Sequence, residues 1–133
     1  MSHLLDANTC IDHMRHGPSS KVTAKLLSAS PGSVYLCSVV VGELLFGALR
    51  STQSAANLSK VRTFCAPYVS LPFDDRAAEE YSLIRTHLTG LGQIIGANDL
   101  LIAAIAVSNG MTLVTHNTSE FSRVPRLALE DWQ

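Results

Sequence analysis

Ile95-Gly96-Ala97-Asn98-Asp99-Leu100-Leu101-Ile102-Ala103-Ala104-Ile105-Ala106-Val107-Ser108, then Asn109-Gly110, then Thr112-Leu113-Val114-Thr115, is the stretch that decides how this chain folds. From Leu100 to Ser108 nearly every residue is apolar, so the segment reads as a helix buried all round. Asn109-Gly110 supplies its C-terminal stop. Thr112 to Thr115 follows as a short β-prone run. A wholly apolar helix leading into an apolar strand belongs to a parallel sheet with helices on both faces.

The rest of the chain repeats that alternation. His3-Leu4-Leu5 is a short apolar first strand, and Ala7 to His16 and Lys21 to Ala29 read as helices. Gly17-Pro18 and Ser30-Pro31-Gly32 are turns by their residue chemistry. Val34 to Cys37 is a second strand, and Ser38 is the expected N-cap of a helix from Val39 to Leu49. Ala55 to Tyr68 is a further helix with Leu58, Val61, Phe64 and Cys65 on one face. Val69-Ser70-Leu71 is a strand stopped by Pro72. Asp74 can cap a helix from Arg76 to Leu88 whose inner face is Ala77, Tyr81, Ile84 and Leu88. Leu127-Ala128-Leu129 is the expected last, edge strand. The fold class is α/β, a central parallel sheet joined by right-handed crossovers, and the 133 residues are expected to form one domain, 1–133.

Three acids stand against apolar runs: Asp6 after the first strand, Glu43 inside Val39 to Phe46, and Asp99 before Leu100. Each alone has an ordinary explanation. Asp6 can cap the Ala7 helix, Glu43 can pair with Arg50 or a lysine on a helix surface, and Asp99 can face a helix N-terminus. In an α/β sheet, however, sites form beyond the carboxyl ends of the strands, where one cleft can collect all three with Thr115, His116 and Asn117. Two like charges about 4 Å apart repel by roughly 4 kcal/mol at an effective dielectric near 20. A hard divalent cation such as Mg²⁺ or Mn²⁺ removes that conflict, bridges to phosphate and activates water. The pattern therefore points to metal-assisted hydrolysis of a phosphoester.

Net charge is −1, so there is no basic stripe of the kind that marks duplex-DNA binders. Apolar residues make up 47% and charged residues 16%, which excludes a disordered chain. Cys10, Cys37 and Cys65 are odd in number and lack metal-ligand spacing, as expected of reduced thiols in a cytoplasmic protein. The first residues lack a charged region followed by an apolar one, so no signal peptide is expected, and no apolar run is long enough for a membrane span. Arg15, Lys21, Lys25, Arg50, Arg76, Arg85, Arg123 and Arg126 are candidate phosphate contacts, each with a solvated face as the plainer reading.

Leu4-Leu5-Asp6-Ala7-Asn8, Val41-Gly42-Glu43-Leu44-Leu45-Phe46-Gly47-Ala48, Ile95 to Ala104, and Thr112 to Pro125 occur in an order that resembles PIN-domain ribonucleases, and closely the VapC toxins of toxin–antitoxin pairs. The likeness spans essentially the whole chain. It implies an α/β/α sandwich, Mg²⁺-dependent endoribonuclease activity, inhibition by a VapB-type antitoxin, a homodimer through apolar helical surface between Val39 and Tyr68, and higher toxin–antitoxin assembly. It implies Asp6 and Asp99 as metal ligands and Glu43 as a third acid, binding directly or through water. Asn117 stands where many PIN domains carry a fourth acid, and Glu120 reads first as a surface residue and second as the supplier of that charge. Asn8 and Thr115 are expected to orient ligands or water. Ala7 stands where the family often has Thr. The group that cuts initiator tRNA in its anticodon loop is the one the chain resembles most, so tRNA is the implied substrate.

Two rivals remain at this point. One is a non-catalytic PIN-fold module that binds RNA or an antitoxin, favoured by Asn117. The other is a small metal-dependent phosphatase or receiver domain, disfavoured because the acids lie on two helices and one strand end and no Lys follows the last strand. A Rossmann dinucleotide site is excluded by the lack of G-x-G-x-x-G after the first strand.

Overall fold

A computed structural model describes all residues, Met1–Gln133. Five strands are all parallel: β1 (His3–Leu5), β2 (Val34–Cys37), β3 (Ser70–Leu71), β4 (Thr112–Val114) and β5 (Ala128–Glu130). They lie side by side in the order β3-β2-β1-β4-β5. Helices α1 (Ala7–His16) and α2 (Lys21–Ser28) link β1 to β2, and α3 (Ser38–Arg50) and α4 (Ser54–Cys65) link β2 to β3. Helices α5 (Asp75–Gly90) and α6 (Ala97–Ser108) return the chain across the sheet to β4, and the short α7 (Thr118–Phe121) precedes β5.

The chain winds outward from β1 through β2 to β3, then crosses to β4 and β5. Right-handed crossovers in opposite directions put helices on opposite faces, so the result is an α/β/α sandwich with its topological switch point between β1 and β4. The register there aligns His3 with Thr112 and Leu5 with Val114. Asp6 and Thr115 thus leave neighbouring strands at the same level.

Both faces of the central strands are covered, and Leu4, Leu5, Leu36, Leu113 and Val114 have no exposed surface. The α6 run is buried as its composition demands: Ile102, Ala103, Ala104, Ile105 and Ala106 are all inside. Its small residues let α5 pack close, with Ala77, Ile84 and Leu88 on the inner side. Tyr81 only half joins that face and meets Phe73 edge-on at 5.8 Å. All three cysteines are unpaired, Cys10 and Cys37 buried and Cys65 half-buried. No helix is long and apolar enough to cross a membrane.

Boundaries differ from the sequence reading where side-chain chemistry was ambiguous. Ser38 is the first helical residue of α3 rather than its cap; Cys37 takes the cap position with extended backbone and no side-chain hydrogen bond. Asp74 caps α5 as expected, accepting from the Ala77 amide at 2.9 Å. Helix α6 begins two residues before Asp99, with Gly96 at its cap position. Helix α4 ends at Cys65, three residues short of Tyr68. Val69 stays outside the ladder, where only Ser70 and Leu71 pair. β5 runs one residue later than its apolar triplet, because Glu130 pairs with Val114.

Candidate active site

Asp6 is placed by the end of β1 and the start of α1. Its amide donates to the Val114 carbonyl at 3.1 Å, extending the β1–β4 ladder by one bond. Its Oδ1 accepts from the Thr9 amide at 2.9 Å, so Asp6 caps α1 while only 6% exposed. Thr9 is itself buried and donates its hydroxyl to the Val114 carbonyl at 3.2 Å. The capping explanation of Asp6 is therefore true as local structure, and it coexists with a charge facing other acids.

Glu43 projects from α3, which β2 delivers to the same end of the sheet. Burial pushes its carboxyl up; the Asn98 side chain pulls it down by hydrogen bonding, and the Asp6 charge pushes it up again. Arg50, the sequence's candidate partner, instead lies over the Phe46 ring at 5.3 Å. Asp99 sits in the first turn of α6, where the helix dipole favours a carboxylate. Even so, its carboxyl is pushed up to about 6, first by burial and then by the charges of Glu120, Glu43 and Asp6. No basic side chain offsets these effects at Asp99. Burial alone and three acids around one carboxylate are the two separable causes.

Glu120, read first as a surface acid and second as the supplier of a fourth charge, stays partly exposed and lies beside Asp99. It is half-buried, and its Oε1 accepts from the Gly96 amide at 2.9 Å while its Oε2 accepts from the Asn117 side-chain amide at 2.7 Å. Those two bonds hold its carboxyl below the usual range. Asn117 is fixed in turn, because its backbone amide donates to Thr115 Oγ1 at 3.0 Å. Thr115 is wholly buried, and its amide donates to the Glu130 carbonyl at 2.9 Å. A chain of bonds thus runs from β5 through β4 to a carboxylate beside Asp99. Gly96 completes the junction: a Cβ there would stand 3.4 Å from Asp99 Oδ2 and 3.9 Å from Glu120 Oε1.

Other candidates lie elsewhere. Asn8 is exposed on α1. His116 is exposed and pairs with Asp131 at 2.9 Å. Arg76 donates to the Ser108 carbonyl, Arg126 pairs with Glu80, and Arg85 donates to the Tyr81 hydroxyl. Sequence reasoning missed Thr9 and Asn98. The signal for Asn98 was its place immediately before Asp99; for Thr9 it was its spacing of three from a capping acid.

Four carboxylates, Asp6, Glu43, Asp99 and Glu120, therefore act on one another from the β1–α1 junction, α3, α6 and α7 at one end of the sheet. No three of the chain's acids, histidines and cysteines are gathered into a finished metal cage. What they form is a cluster of acids whose charges raise one another's proton affinity.

Residues 3–127 match the PIN domain family. Ribonuclease VapC2 of Rickettsia felis is 36% identical over 132 residues, covering 99% of this chain and 98% of that protein. The tRNA(fMet)-specific endonuclease VapC of Shigella flexneri is 34% identical with the same coverage. The solved VapBC2 of Rickettsia felis, bound to a promoter DNA fragment, superposes over 100% of both chains with a TM-score of 0.93 at 35% identity. The DNA-bound VapBC of Salmonella typhimurium gives 0.94 at 32% identity, covering 100% of this chain and 99% of that one. With its sandwich, its strand order and its cluster of acids all in place, the chain belongs to the PIN-domain family, among the VapC ribonuclease toxins.

Proposed function

We propose that this protein is a Mg²⁺-dependent endoribonuclease toxin that hydrolyses a phosphodiester in a single-stranded loop of tRNA. The observation that carries this reading is Asp99, a carboxyl pushed up to about 6 by burial and three neighbouring acids with no basic side chain to relieve it. An all-oxygen donor set of this kind fits Mg²⁺, with Mn²⁺ as a substitute. Asp6 and Asp99 would hold the ion, and Glu43 would bind it directly or through water. When bound, the ion lowers the pKa of a water molecule and offsets phosphate charge.

The chain's own groups supply positioning. The Thr9 amide fixes one oxygen of Asp6 and leaves the other to face the cluster. Gly96 and Asn117 hold Glu120 ionised beside Asp99. Asn117 thus fills its family position by securing a fourth acid rather than by being one. Water adds to phosphorus, the bond to the 3′ oxygen breaks, and that oxygen takes a proton, leaving 5′-phosphate and 3′-hydroxyl ends. Single-stranded loops suit such a site because their backbone can be splayed. The tRNA(fMet) specificity of the Shigella flexneri relative supports tRNA as the substrate.

Solved complexes such as FitAcB of Neisseria gonorrhoeae and VapBC of Salmonella typhimurium support a VapB-type antitoxin as the protein partner. Purified Asp6→Asn and Asp99→Asn proteins are expected to stay folded and to lose RNA cleavage by at least about a hundred-fold. Wild-type cleavage should require Mg²⁺ and stop with EDTA. Unchanged cleavage by both variants would overturn the assignment. Tight RNA or antitoxin binding without any cleavage would favour a non-catalytic module instead.

A further inference from the structure

Beside the acids runs a trough of about 430 Å³ between α1, α3 and α4. Glu43 stands on its wall, so it is continuous with the acidic cluster. Its floor is apolar, built from Ile11, Met14, Leu44 and Val61, and Arg15 and Lys60 also line it. Neither cation is in an ion pair. Most of the other basic groups are engaged elsewhere. Arg76, Arg85 and Arg126 hydrogen-bond to protein acceptors, and Arg50 covers Phe46. Arg123 lies beside Glu120, and Lys21 and Lys25 sit with Asp131 on a separate surface.

A cluster of four carboxylates repels a polyanion, so an RNA strand needs cations on its approach. The trough offers two free ones next to Glu43, over a floor that can take the flat face of a base. We propose that this trough carries one flank of the RNA strand, with Arg15 and Lys60 binding backbone phosphates and Ile11, Met14 and Val61 receiving a base. Both cations are positioning residues: they align the strand while the acids act on it. The inference rests on the nuclease reading above and adds the path of the substrate.

Gly47 allows a test that spares the fold. It lines the trough on α3, and a Cβ there meets nothing within 4 Å. Gly47→Leu would narrow the trough and also raise helix propensity. The experiment uses the full chain with Mg²⁺ and a fluorogenic single-stranded RNA across a salt series. A parallel arm measures binding of the same RNA, fluorescein-labelled, to the Asp99→Asn protein.

Arg15→Gln with Lys60→Gln should raise KM and Kd by roughly ten-fold with kcat little changed. The slope of log Kd against log salt should fall by about 1.4, which is about 0.7 for each of two single-strand phosphates no longer neutralised. Arg15→Lys with Lys60→Arg should restore most of the affinity, Gly47→Leu should weaken binding without altering the salt slope, and Lys21→Gln with Lys25→Gln should change neither. Unchanged KM, Kd and salt slope in the Arg15/Lys60 double variant would overturn the proposal. So would an effect confined to affinity for a co-purified antitoxin, which would make the trough a peptide groove. If wild-type protein fails to cleave at all, the nuclease reading falls, and the binding arm still decides whether the trough holds RNA.

Discussion

Asp99 joins two quantities that can be measured separately, proton affinity and stability. Its carboxyl is pushed up to about 6 in the folded chain, whereas an unfolded aspartate titrates near about 3.9. Between these values the folded state holds a proton that the unfolded state has released. Metal-free stability therefore falls as pH rises through that window and stays lower above it. Asp99→Asn removes the charge that causes the loss. Because Asp99 is half-exposed, solvent screening trims the gain to about 1 kcal/mol. Thermal melts in EDTA should show the variant more stable than wild type at pH 7.5 and equal to it near pH 4. A wild-type melting temperature that climbs from pH 4 to 7 on account of Asp99 would contradict this. Metal binding should show the converse trend, strengthening as pH rises through about 6, because the ion competes with the proton for that carboxyl.

The junction of β1 with α1 shows how much of an element can rest on one site residue. Asp6 caps α1 through the Thr9 amide, and asparagine caps as well as aspartate does. Asp6→Asn should thus leave the melting temperature nearly unchanged, whereas Asp6→Ala should lose about 1 kcal/mol, or roughly 3–5 °C in a domain of this size. Both should lack cleavage, and the difference in melting separates the cap from the chemistry. The same elements show what was readable in advance. The apolar run of α6, the Asp74 cap and the extent of α1 follow directly from residue chemistry. Helix α7 does not, because four residues carry no periodicity, and so Glu120 read as a surface residue. Its place depends on the Gly96 amide, 24 residues earlier in the chain, and no local pattern encodes that contact. The serine at position 38 misled for another reason: a cap needs its side chain to accept from an amide two or three residues further on, and β2 runs straight into α3 without such a bond.

Across the whole molecule, the parallel sheet with helices on both faces was legible as alternating strands and helices, whereas the strand order and its switch point between β1 and β4 come from the structure. The convergence of the acids needed the three-dimensional crossovers. On the outside of α3, Phe46 and Leu49 are 59% and 61% exposed, inside the region expected to join two copies. Burying them in a homodimer accounts for two large apolar side chains that a monomer leaves in water. Phe46→Asp with Leu49→Asp should yield a monomer in sedimentation velocity at concentrations where the wild type is a dimer. A dimer that survives both changes would place the interface elsewhere.

The acidic cluster joins Asp6 to Asp99 and Glu120, which lie far from it in sequence, and β1 is flanked by β2, made soon after it, and β4, made much later. A ribosome translating this message has already released Asp6 and Glu43 when Asp99 and β4 are still unmade. The acidic cluster therefore cannot assemble on a nascent chain before Asp99, β4 and Glu120 have been made.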